Sequence, residues 1–160
     1  MRFTYLVCFL SFAAAAWGQA PTTVTRNLAF PPVGLAFSET AQINVANTAV
    51  NPATGTAASC TGTISFNTST GAAATTPVKF TVTAGQIYST ELTAAKLGVT
   101  NGNRAEFIGS VQLTVVPRTP CSLTVSLETF DSVTGATHVY LTNPASATVA
   151  SYNLLPGGGH

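Results

Sequence analysis

Apolar and polar side chains alternate with period two from Val24 to Leu141, and this rhythm constrains the fold more than any other feature of the sequence. Successive side chains of an extended chain point to opposite faces, so such alternation describes strands with one buried and one wetted face. Val24, Leu28 and Phe30 outline a first strand, stopped by Pro31-Pro32, whose fixed φ and missing N–H exclude a central ladder. In a second strand near Ala41 to Ala46, Ile43 and Val45 oppose Gln42 and Asn44. Cys60, Gly62, Ile64 and Phe66 then oppose Thr61, Thr63, Ser65 and Asn67, and Val78, Phe80 and Val82 oppose Lys79, Thr81 and Thr83. The strand around Ile87 to Leu92 follows the Ala84-Gly85 break and is expected to form a hairpin with the one before it. Only Thr93 to Gly98 has helical character, a single turn that Thr93 can cap and Gly98 can end. Asn101-Gly102 leads into the longest strand, in which Ala105, Phe107, Val111, Leu113 and Val115 share a face and Gly109 is a position for a bulge.

The last hairpin admits a closer reading. Leu123, Val125 and Leu127 on one arm and Val139 and Leu141 on the other are all odd-numbered. Paired residues share a face, so the register must have an even sum. Pairing Phe130 with Ala136 satisfies this, and then Leu127 meets Val139 and Glu128 meets His138. Asp131 can accept amide protons of its own loop, and Gly135 can supply the positive φ there. About seven short strands with regular turn signals predict an all-β, immunoglobulin-like antiparallel sandwich; a barrel satisfies the same rhythm. The spacing of Cys60 and Cys121 is like that of the immunoglobulin inter-sheet bridge. However, no Trp follows Trp17, and Thr119 stands where a tyrosine corner would place Tyr, so the architecture is expected without the family.

Domain boundaries follow from the ends. Met1-Arg2 is a positive start, Phe3 to Trp17 is almost wholly apolar, and small residues stand at cleavage spacing, which reads as a signal peptide over 1–18, with cleavage after Ala20 as the alternative. The other reading, a membrane anchor, needs about 20 apolar residues and finds fewer. The sandwich is expected over 19–143 and a flexible tail over 144–160, ending in Pro156-Gly157-Gly158-Gly159-His160. Cys8 leaves with the peptide, so Cys60 and Cys121 are the two thiols of a secreted or periplasmic chain and are expected to form a disulfide. A metal site has no support from His138 or His160, neither of which lies at ligand spacing from a cysteine.

Composition then narrows function. Charged residues make up 7% of the chain and the formal charge is +1, which removes the attraction on which binding to DNA, RNA or anionic lipid depends. Nucleic acid is therefore not expected as a partner, and no membrane span is expected after cleavage. Ser132, His138 and Asp131 lie close in sequence, but a hairpin tip is a poor support for a triad, and Glu39, Glu91, Glu106, Glu128 and Asp131 are scattered without metal-binding patterns. Neither catalysis nor a cofactor is expected. The candidate binding surface is the even face of the last hairpin, where Glu128, Phe130, His138 and Tyr140 should cluster. Aromatic rings there can stack on sugars or anchor a protein, with polar neighbours fixing orientation; equally, such pairs can simply stabilise the hairpin. Threonine rows on other strands suit solvation, and exposed edges on a chain of low charge favour self-association.

Two stretches carry a family likeness. Phe30 to Ala36 with Glu39 to Val45 and Ala58 to Gly62, together with Leu127 to Asp131 and Thr134 to Val139, resemble a family of short secreted β-rich proteins from soil acidobacteria. The resemblance spans most of the chain after the signal segment and implies export and a shared β fold. No activity is assigned to that family, so it implies no functional residue. The reading that results is an extracellular or periplasmic noncatalytic β-sandwich that binds a cell-surface glycan or protein, with a self-associating structural subunit as the alternative and a hydrolytic enzyme as a distant third.

Overall fold

In the computed structural model, residues 23–49, 59–116 and 121–143 are described. The expected signal peptide, residues 50–58, residues 117–120 and the expected tail lie outside them. Nine strands and one 3-10 turn occur among the described residues: β1 Val24–Ala29, β2 Val33–Ala36, β3 Glu39–Asn47, β4 Ser59–Thr68, β5 Val78–Thr83, β6 Ile87–Thr93, the turn Ala94–Leu97, β7 Arg104–Val115, β8 Leu123–Asp131 and β9 Thr137–Asn143. They form two antiparallel sheets packed as an immunoglobulin-like sandwich. The first sheet runs β1-β7-β4-β5, with β2 also on β7, and the second runs β6-β3-β8-β9. Strand β2 has only two core-facing residues, Val33 and Leu35, too few to announce a period in sequence.

The core forms where the odd and even sets of the two sheets meet. Ile43 and Val45 of β3 and Leu123, Val125 and Leu127 of β8 are fully buried, as are Ile64 and Phe66 of β4 and Phe107, Val111 and Leu113 of β7. Phe66 and Phe107 pack as a tilted pair at 6.0 Å. The aliphatic side chains from the second sheet need room between these rings. Gly109 supplies it: a Cβ there would lie 2.8 Å from Leu127 Cδ1 and 2.9 Å from Ile43 Cδ1. The expected bulge at Gly109 does not occur, since Phe66 pairs with it in unbroken register. Close packing accounts for the glycine instead.

Three further expectations are corrected. Strands β5 and β6 do not form a hairpin, because β5 pairs with β4 in the first sheet and β6 with β3 in the second. Phe80 and Val82 follow the buried face of the first layer, and Leu92 that of the second, so the short Ala84-Gly85 link changes layers. Asn47, buried at the end of β3, holds that change: its backbone bonds to Gln86 O and Gly85 N–H, and its Nδ2 donates to Val82 O at 3.1 Å. Thr93 makes no side-chain cap to the 3-10 turn, which is too short to leave several amides unpaired; Gly98 does end it in the left-handed conformation, φ 70°.

The third correction concerns the last hairpin. Leu127 pairs with Leu141, Glu128 with Tyr140 and Thr129 with Val139, two residues beyond the expected register. The loop closes one residue later than expected, through the Asp131 N–H to Ala136 O bond, and a bulge at Thr137-His138 adds the second residue. Two single steps restore even parity, which is why Val139 and Leu141 still face the core. The loop chemistry is as expected. Asp131 Oδ1 accepts the amides of Val133 (2.9 Å) and Thr134 (2.7 Å) and the Thr134 hydroxyl (3.0 Å), and Gly135 has φ 71°.

Cys60, on the inner face of β4, bonds to Cys121, two residues before β8. The disulfide therefore ties the two layers together, with Cα atoms 5.6 Å apart and a sequence separation of 61 residues.

Candidate functional site

The outer face of the second sheet is built from the even residues of β3 and β8 and their cross-strand partners. Ser89 of β6, Asn44 of β3 and Ser126 of β8 form one row; Glu91, Gln42, Glu128 and Tyr140 of β9 form the next. Antiparallel strands lie about 4.8 Å apart, so neighbours within a row and in adjacent rows are in hydrogen-bond reach of amide side chains. They use it. Gln42 Nε2 donates to Asn44 Oδ1 at 2.7 Å, Ser89 Oγ donates to the same oxygen at 2.6 Å, and Asn44 Nδ2 donates to Glu128 Oε1 at 2.9 Å. This network holds four side chains, Ser89, Gln42, Asn44 and Glu128, in set orientations across β6, β3 and β8. Beside it, in register with Glu128, the Tyr140 ring stands 63% exposed.

The four candidate residues are thus placed differently from one another. Glu128 and Tyr140 are direct cross-strand partners on the outer face. Phe130 is partly buried on the same face, flanked by Thr40 and Thr137. His138 is not the partner of Glu128. The bulge turns it to the end of the sandwich, where its Nδ1–H donates to Glu39 Oε1, and the histidine side chain stays 48% exposed while that of Glu39 is only 12% exposed. Asn44 and Gln42, which complete the polar network, were visible in the sequence as outward residues of β3. Only the β3–β8 pairing, between strands over 80 residues apart, brings them to Glu128.

Charge at the end of the sandwich is arranged around Glu39. Burial pushes its carboxyl up, but the Ala36 amide, which donates to Oε2 at 2.7 Å, the His138 hydrogen bond, and the nearby His138 and Arg104 charges outweigh this and hold it below the usual range. Asp131 is pushed down to about 2 by the Thr134 amide first, then by the Val133 amide and the Thr134 and Ser38 hydroxyls, against a small opposing effect of burial. Ser132 Oγ lies 2.8 Å from Thr40 Oγ1. Asp131, Ser132 and His138 therefore engage three different sets of partners, and none of their bonds links one of the three to another.

The outer face of the first sheet is hydroxyl-rich. Thr25, Thr114, Thr61 and Thr81 form one row across all four strands, but the adjacent row is Asn27, Gln112, Thr63 and Lys79. Threonine alignment is thus a single row, with amides and an ammonium beside it. Among the described residues no group of three or more His, Cys, Asp or Glu side chains is placed to hold a metal ion, and no helix is long and apolar enough to cross a membrane. No protein-family model matches the sequence, and no curated protein or solved structure is significantly similar to it.

Proposed function

We propose that this chain is an exported, noncatalytic β-sandwich that binds a neutral polysaccharide through the outer face of the second sheet. One observation carries the reading: an exposed Tyr140 ring stands in register with a carboxylate that is itself held by an amide network, Gln42 to Asn44 to Glu128. A tyrosine face offers a large, rigid apolar surface at little conformational cost, which suits the C–H face of a pyranose. Fixed amide and carboxylate groups alongside supply acceptors and donors for hydroxyls without reorganisation. The two ionised groups in this row, Glu91 and Glu128, are both acidic, which disfavours polyanions and favours an uncharged polymer. Export is supported by the signal-type segment over residues 1–18, by the Cys60–Cys121 disulfide, and by the likeness to secreted acidobacterial proteins.

Depletion from solution by insoluble cellulose, chitin and β-1,3-glucan, with affinity electrophoresis in soluble neutral glucans, tests the reading. At least one polymer is expected to retain the protein, and Tyr140→Ala is expected to weaken that retention about tenfold, the effect of losing one aromatic platform. Because Tyr140 is exposed, its truncation leaves the melting temperature almost unchanged. Failure of every polymer to retain the protein, or equal retention of Tyr140→Ala, would overturn the proposal.

A further inference from the structure

Among the described residues the two sheets have four edges: β1 with β2, β5, β6 and β9. An edge strand presents unpaired backbone donors and acceptors, and soluble proteins guard such edges with charges, proline or irregularity. Three edges here carry at least one such guard. Arg26, an exposed charge, stands in β1 opposite Leu113, and Pro31-Pro32 interrupts the passage to β2. Lys79 stands in β5 just after Pro77, and Glu91 stands in β6. Strand β9 has no proline, lysine, arginine or carboxylate. Its one histidine is engaged by Glu39, and its bulge is confined to Thr137-His138, so among the described residues Val139–Asn143 is a bare edge.

The core is also open along this edge. On the β5–β6 side Phe80 and Tyr88 stack at 5.9 Å and close the space between the layers. On β9, Val139 and Leu141 pack against the core yet remain partly exposed. The sequence about Tyr140 is, in addition, nearly palindromic in character: apolar Val139 and Leu141 at one step, and polar His138 and Thr142 at two.

We propose that β9 pairs antiparallel with β9 of a second copy about a two-fold axis at Tyr140. That register has an even sum, so both copies keep their faces. Val139 then meets the partner's Leu141 on the inner side, which covers the exposed part of both. On the outer side the two tyrosines stand together. Two four-stranded sheets become one of eight, with an isologous contact and no like charges opposed. The pairing needs no ligand and is tested without one, so its failure is separable from that of the polysaccharide reading.

Sedimentation and light scattering over a concentration series are expected to show a monomer–dimer equilibrium, and Thr142→Lys, which puts a charge on the bare edge, is expected to weaken the dimer about tenfold. Directly opposed residues of an antiparallel pair have Cα atoms about 4.5 to 5.5 Å apart, within disulfide reach. In oxidised glutathione Tyr140→Cys should therefore give a covalent dimer, whereas Thr124→Cys, exposed on β8, should not. A protein that stays monomeric at every concentration, or a Tyr140→Cys variant that cross-links no better than Thr124→Cys, would refute the pairing. So would a dimer that Thr142→Lys leaves unchanged.

Discussion

Opening the Cys60–Cys121 bridge should cost this domain a large part of its stability, and the size follows from topology. The two cysteines are 61 residues apart, and β5, β6, the 3-10 turn and β7 all lie within the loop they close. The chain-entropy relation for a loop of that length gives about 14 cal/mol/K, or about 4 kcal/mol at 25 °C, as the destabilisation expected when the unfolded chain is released from the constraint. With a urea slope near 1.5 kcal/mol/M, the midpoint should fall by about 3 M. The slope itself should rise, since the uncrosslinked unfolded chain exposes more surface. Two forms separate the contributions. Reduced protein retains both sulfur atoms and reports the crosslink alone, whereas Cys60→Ala/Cys121→Ala also removes two buried side chains and should lose about 1 kcal/mol more. Equilibrium urea unfolding followed by circular dichroism measures all three. A reduced protein whose midpoint lies within about 0.5 M of the oxidised one would refute the argument, because it would mean that the bridge does not restrict the unfolded ensemble.

Two other perturbations have signs set by the structure. The Thr129 hydroxyl is fully buried without a hydrogen-bond partner, at the step where the β8–β9 register shifts, so Thr129→Val, of nearly equal shape, should stabilise the domain by about 1 kcal/mol in thermal or urea unfolding. Glu39 has a carboxyl held below its ordinary value, so its contribution is complete above the unfolded range near pH 4.3 and is lost as pH falls through the lowered folded value. Urea unfolding from pH 7 to pH 3 should show stability falling at the acid end, and Glu39→Gln should flatten that fall.

The limits of sequence reading are clearest in the last hairpin. The shared parity of Leu127, Val139 and Leu141 puts them on one face in any even-sum register, because facing alternates with a period of two. It left every even-sum register open, and the loop closure and bulge, each worth one residue, decided among them. The candidate face shows the same division. Glu128 and Tyr140 were recognisable as outward residues, but their pairing, and the departure of His138 to Glu39, depend on a bulge whose local sequence carries no distinctive signal.

Local chain properties, then, were enough to determine an all-β fold with an inner apolar set, the ends of its turns at Gly98 and Gly135, and a bridge between Cys60 and Cys121. These rest on side-chain alternation, on positive φ, and on thiol chemistry, all of which act within a few residues or between unique partners. Tertiary structure alone decided that β5 and β6 part into different sheets, that Gly109 makes room for Ile43 and Leu127, and that Asn44 reaches Glu128. Each of these depends on which distant strand becomes the neighbour, and that choice is made by how both layers fill their common core at once.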